Sequence, residues 1–254
     1  MSLIPKSHPR AKSLLIRERL VNGFENGLVA KEGLLAQGRG EAFDYLLGEK
    51  TGKAAKHAIR TAAAQLLIAK RPVISINGNV AALCPNEIVK LSKQIKAKLE
   101  VNLFYANEIR KKAIIKTLKK HGAKEILGSD IKNSTKLPGI DSARRIVDKN
   151  GIFAADVVVV PLEDGDRTTA LRKAGKIVIT FDLNPFSRTS QTANITIVDN
   201  VTRAMDVLID ESKKLSKKNH KVLERIIANF DNKKNLSENI LQIKKNLTRG
   251  AKIA

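Results

Sequence analysis

Residues 155–162, Ala-Asp-Val-Val-Val-Val-Pro-Leu, decide the fold. Four consecutive valines closed by proline are too short a run for a helix. They are apolar on both faces, so they read as a central strand of a parallel sheet buried on both sides. Working outward, the same grammar recurs. Downstream lie KIVITFDL (176–183) and ITIVDN (195–200); upstream lie PVISI (72–76), LEVNLFY (99–105) and KEIL (124–127). Helical patterns over 86–97, 108–121, 141–149 and 167–174 separate these runs, with a looser polar stretch at 128–140. Strands alternating with helices specify an α/β fold, with a mostly parallel sheet flanked by helices.

Helical segments bracket this core. SLLIRERLVNGF (13–24) spaces Leu14, Leu15, Leu20, Val21 and Phe24 for an amphipathic helix, and a further helix covers 54–69. Between them, Gly33 to Thr51 is rich in glycine, with a short helix expected to begin around Arg39, Glu41 and Asp44. The reading is a helical N-terminal segment, 1–71, that contributes to the active site, an α/β core, 72–209, and a basic helical segment, 210–254. The three are expected to form one integrated domain.

Composition narrows the function. Of 254 residues, 43% are apolar, enough to bury a real core and too many for a disordered chain. No apolar run approaches the roughly 18 residues of a membrane span. MSLIPKSHPR meets Pro5 and His8 before an apolar stretch develops, so no secretory leader is expected. The single cysteine, Cys84, can form neither an internal disulfide nor a thiolate zinc site, which suits a cytoplasmic protein. The net charge of +22 raises nucleic acid as a partner. The excess is spread, however, at +7 over 1–72, +8 over 73–209 and +7 over 210–254, and aromatics are only 4%. A stacking surface would be poorly supplied, which disfavours a nucleic-acid module.

In an open parallel sheet, ligands gather beyond the carboxyl ends of the strands. Those ends carry Asn77-Gly78-Asn79, Asn102 to Tyr105, Glu163-Asp164-Gly165-Asp166-Arg167, Asp182-Leu183-Asn184 and Asp199-Asn200. Each is ordinary turn chemistry by itself, and the set points to a polar site. Neither G-x-x-x-x-G-K-[ST] nor G-x-G-x-x-G is present, so the usual phosphate loops are excluded. Anionic ligands would fall to Arg17, Arg39 between two glycines, Arg167 and Arg188. Cys84 reads as a small buried residue; His57, His121 and His220 read as structural, and His8 as a surface residue or a phosphate contact. No metal cage built by the protein is expected, although Asp164, Asp166 or Asp182 could join Mg²⁺ carried by a nucleotide.

Several segments together resemble one family. IPKSHPR (4–10), GRGEAFDYLLGEKT (38–51), PVISINGNVAAL (72–83), LEVNLFY (99–105), ADVVVVPLEDGDRTTAL (155–171) and FDLNPFSRTSQTANITIVDNVTRA (181–204) are similar to the archaeal 4-phosphopantoate:beta-alanine ligases, or phosphopantothenate synthetases. The resemblance implies a Rossmann-like fold in a homodimer, and an ATP-dependent condensation of 4-phosphopantoate with beta-alanine in coenzyme A biosynthesis. It implies an acyl-adenylate route releasing AMP and pyrophosphate. Its nucleotide contacts fall on Arg17, Arg39, Asp182, Leu183, Asn184, Ser187, Arg188, Asp199 and Asn200, of which Arg17, Arg39 and Asp182 are expected to be catalytic. Candidates for the substrate are Lys6, His8, Arg10, Asn77, Asn79, Asn102, Asp164, Asp166 and Arg167. Two departures stand out: Ala11 where the family commonly has tyrosine, and Gln37 where a histidine often stands. Glutamine keeps hydrogen bonding and loses titration, so that position is no obligatory acid or base. Another nucleotide-dependent reaction, or a basic nucleic-acid-binding module, is the alternative reading.

Overall fold

The computed structural model describes residues 4–5 and 7–252. Its N-terminal part is helical: α1 (Ala11–Glu25), α2 (Lys31–Leu47) and α3 (Lys53–Ile68). The core opens with β1 (Pro72–Ile76), α4 (Gly78–Leu83), α5 (Pro85–Ile95), β2 (Lys98–Val101) and α6 (Glu108–Lys120). A small hairpin follows, β3 (Ser134–Lys136) and β4 (Ile146–Asp148), with a 3₁₀ turn at Ala143–Arg145. Then come β5 (Val157–Pro161), α7 (Gly165–Lys173), β6 (Ile177–Phe181), α8 (Arg188–Thr192) and β7 (Ile195–Ile197). Three helices close the chain: α9 (Val201–Leu215), α10 (His220–Ala228) and α11 (Asn232–Ala251).

The main sheet has the order β2-β1-β5-β6-β7, all neighbours parallel. The valine run occupies the middle. Alternate residues serve opposite faces, as the two-residue strand period demands. Ile74, Ile76, Val157 and Val159 join the large core with Ile59, Leu91 and Leu208 of α3, α5 and α9. Val73, Val158, Val160 and Val178 join a second core with Leu171 of α7 and Leu137, Val147 and Ile152 from around the hairpin. An α/β fold with helical ends and a parallel sheet covered on both faces is therefore what the molecule has.

The structure corrects three expectations. The stretch at 128–140 and the helix over 141–149 give way to the hairpin, whose Leu137, Ile140 and Val147 cover the second face of the sheet. Pro138 and Gly139, the latter at φ +77°, turn the chain there. The expected strand at 124–127 shrinks to one bridge between Leu127 and Glu100. Gly128 takes φ +95°, and a Cβ there would stand 2.3 Å from the Val101 carbonyl, so the chain leaves the sheet at once. The strand expected over 99–105 ends at Val101, because the Asn102 amide turns to the carbonyls of Arg144 and Ile146 at 3.3 and 2.9 Å.

Candidate active site

β1 is followed in sequence by β2 on one side of it, and the chain then crosses to β5 on the other. Such a switch point opens a crevice at the carboxyl ends of the strands. A cavity of about 520 Å³ lies there, within the size range of small-molecule sites. Four strand ends supply its floor: Asn77 and Gly78 after β1, Leu103 to Tyr105 after β2, Leu162 to Gly165 after β5, and Asp182 to Asn184 after β6. The helix α2 roofs it with Gly33, Gln37, Arg39, Gly40 and Phe43.

Arg39 therefore projects from the middle of a 17-residue helix rather than from a glycine loop. The glycines beside it keep the helix slim where it meets the site: a Cβ at Gly40 would lie 3.6 Å from Leu183, while nothing approaches Gly38. At Gly33 a Cβ would collide with the Asn79 side chain at 2.3 Å. The Asn79 amide donates to the Gly33 carbonyl at 2.8 Å and docks α2 on α4.

Much of the polar strand-end chemistry is helix capping. Asn77, Asp164, Ser187 and Asn200 accept from the first-turn amides of α4, α7, α8 and α9. Asn77 also donates to the Pro161 and Leu162 carbonyls, tying the ends of β1 and β5 together across the switch point. Leu162 itself sits at φ +54°, a strained conformation for a branched residue. That turn sends Glu163 back into the protein, where its carboxylate lies between the guanidinium groups of Arg144 and Arg167.

Those three side chains form the most buried charge cluster at the site. Arg167 is fully buried, donates to Ser75 Oγ at 3.0 Å, and lies beneath the cavity rather than in its lining. Arg144 is buried and lines the cavity, its Nε 3.7 Å from Asp164. Burial, and then repulsion from Arg167, lowers the pKa of Arg144, with the charge of Asp164 opposing. The Arg144 Nε has no hydrogen-bond partner. At the next strand end, Asp182 accepts from the Ser187 hydroxyl and the Asn184 amide; burial raises its pKa, opposed first by those hydrogen bonds and least by the charge of Arg39.

Of the residues picked from sequence, Arg39, Asn77, Asn79, Asp164, Asp182, Leu183, Asn184, Ser187 and Arg188 line this cavity. The others lie elsewhere. Asn102 is buried against the hairpin, and Asp166 pairs with Arg188 in the open. Arg17 forks onto Glu41 on another face of α2, and Arg10 joins that cluster through Tyr45, with His8 accepting from the Arg10 amide. Lys6 is outside the described residues. Asp199 and Asn200 sit in a network beneath α2: Arg203 bridges Asp44 and Asp199 at 2.6 Å each, Asn200 donates to Asp44, and Thr51 donates to Asp199. Sequence reasoning passed over Arg144, Arg110 and Phe43, and it reached Glu163, Phe104 and Tyr105 only as members of strand-end stretches, with no role of their own; all six are in the lining. For those three the signal was their place at the ends of strands; Arg144, Arg110 and Phe43 lie on other segments and gave none.

The family profile described as phosphopantothenate/pantothenate synthetase matches residues 54–246. The chain belongs to that family. A synthetase relative from Thermococcus onnurineus, 4-phosphopantoate--beta-alanine ligase, is 51% identical over 98% of this chain and 95% of its own. The proteins of the same name from Thermococcus kodakarensis and Methanosarcina mazei are 51% and 49% identical over 97% of this chain, covering 94% and 96% of theirs. The profile match takes in the switch point and every cavity-lining strand end, and the match to the Thermococcus onnurineus relative takes in α2 as well.

Proposed function

We propose that this chain is an ATP-dependent 4-phosphopantoate:beta-alanine ligase of coenzyme A biosynthesis. The observation that carries the reading is a switch-point cavity lined by four arginines, Arg39, Arg110, Arg144 and Arg188, in a chain about half identical to ligases of that name. Two of the reactants are phosphorylated and all carry negative charge, so guanidinium groups are the chemistry the reaction needs most.

The carboxylate of 4-phosphopantoate has no leaving group until it attacks the α-phosphorus of ATP and expels pyrophosphate. The amine of beta-alanine then attacks the acyl carbon and AMP departs. Both steps need alignment and neutralisation of charge rather than a covalent nucleophile. Cys84 fits that view, since burial pushes its thiol upward and away from thiolate chemistry. The nucleotide is assigned to the end of β6, where Asp182, Leu183, Asn184, Ser187 and Arg188 face Arg39. The 4-phosphate is assigned to Arg144, whose desolvated guanidinium lacks full pairing.

Among the described residues no group of three or more His, Cys, Asp or Glu side chains could hold a metal ion. Mg²⁺ fits this site only as an ion held largely by the phosphates of ATP, with Asp182 the carboxylate placed to assist; it would supply charge neutralisation there. Among the described residues no helix is long and apolar enough to cross a membrane, and we place the enzyme in the cytoplasm. A homodimer is part of the same proposal, and the half-exposed or exposed apolar side chains Val21, Leu35 and Ile109 on α1, α2 and α6 are candidates for its contacts.

Pyrophosphate exchange into ATP tests the reading. Exchange that requires 4-phosphopantoate and proceeds without beta-alanine is expected. Exchange with pantoate at the same rate would remove the assignment of Arg144 to the phosphate.

A further inference from the structure

Arg110 occupies the first turn of α6, where the helix dipole favours an acid over a cation. It is half-buried in the cavity wall, and desolvation lowers its pKa with only the charge of Glu32 opposing. Its two terminal nitrogens donate to backbone instead, while Nε has no hydrogen-bond partner. Nη1 donates to the Tyr105 carbonyl at 2.5 Å and Nη2 to the Leu28 carbonyl at 3.1 Å. One planar group thus joins the loop after β2 to the loop before α2. Gly78 makes the junction possible, since a Cβ there would stand 2.1 Å from the Leu28 carbonyl oxygen and 2.9 Å from Nη2.

The first of those loops carries Phe104 and Tyr105, stacked edge to face at 4.9 Å and both lining the cavity. They are about half exposed, so their own packing does not hold them. An acyl-adenylate has two fates. Attack by the amine of beta-alanine on the acyl carbon gives the amide and AMP, and attack by water on the same carbon gives back 4-phosphopantoate and AMP. Selecting the first fate requires a wall that excludes water.

We propose that Arg110 is a positioning residue whose two-carbonyl fork holds the Phe104–Tyr105 wall in place and thereby protects the acyl-adenylate from hydrolysis. The inference rests on the ligase reading and adds to it a determinant of coupling. AMP and amide are measured in the same reaction of the full chain, with ATP, 4-phosphopantoate and beta-alanine. Wild type makes one AMP per amide. In Arg110→Ala the ratio rises to roughly three or more, because the wall no longer excludes water. Arg110→Lys is intermediate, since one ammonium cannot reproduce the rigid fork. Added guanidinium returns the ratio in Arg110→Ala toward one.

Arg110→Gln keeps much of the stem's packing and covers the case in which the alanine variant does not fold. Gly78→Ala disturbs the same junction from the other side and should uncouple in the same way. A purely structural role would lower AMP and amide together at a constant ratio, and that result overturns the proposal. If wild type forms no amide with ATP, the ligase reading fails and the protective role falls with it.

Discussion

Arg144 and Glu163 form an ion pair inside the wall of the cavity, their side chains 8% and 2% exposed. The carboxylate is shared with Arg167 from below, and the Arg144 Nε has no hydrogen-bond partner, so this cavity-lining guanidinium has a donor left for a ligand. Removing it should raise KM for 4-phosphopantoate by about tenfold or more, as expected for a lost charge-assisted contact. Arg144→Ala should also narrow the preference for 4-phosphopantoate over pantoate. Steady-state kinetics with both substrates measure this, and an unchanged preference would place the phosphate elsewhere.

Arg39 offers a second test because it stands on rigid helix rather than on a loop. Arg39→Lys keeps the charge and loses the planar fork, so kcat/KM for ATP should fall by about tenfold with thermal stability unchanged. Lysine and alanine variants that both turn over as wild type does would show that Arg39 touches no phosphate.

The buried network under α2 predicts a stability effect. Arg203→Ala strands Asp44 and Asp199, both buried, without their cation. Breaking such a pair costs about 3 kcal/mol or more. For a chain of this size that corresponds to a melting temperature lower by roughly 6–12 °C. Thermal unfolding of the variant checks it, and a shift within error would make the network a surface feature.

Glu100 predicts a pH dependence. It is fully buried, accepts from the amides of Asp148 and Ile152, and desolvation raises its pKa to about 7. The folded state therefore holds a proton between its ordinary value near 4.5 and 7 that the unfolded state has released. Stability from this group is present below the lower value and is lost as pH rises through the upper one. Wild type should lose stability between pH 5 and pH 8 relative to Glu100→Gln, in paired melts that cancel the other titrating groups. Parallel pH profiles for the two proteins would contradict the assignment.

The sheet was legible because its evidence is local. Val157 to Val160, Ile74 and Ile179 are apolar at strand spacing, and β1 and β5 lie where that spacing puts them. The hairpin was not, because β3 and β4 are three residues each and exist by covering Val158 and by bonding Asp148 and Ile152 to Glu100. The same nonlocal packing carries Arg144 to the cavity from a segment that reads as a helix. Arg39 and the Asp182 turn were found from sequence because strand ends and a glycine-flanked arginine are visible without coordinates. Arg167 was chosen for its charge, and only the fold reveals that it serves Glu163 from beneath.

The central claim is adenylate chemistry in this cavity, and oxygen transfer tests it most directly. With ¹⁸O in the carboxylate of 4-phosphopantoate, the attacking oxygen stays on phosphorus when the amine displaces the adenylate. Mass spectrometry should find one labelled oxygen in AMP for each amide formed. ADP with the label in inorganic phosphate would show attack on the γ-phosphorus, and the adenylate account would be wrong.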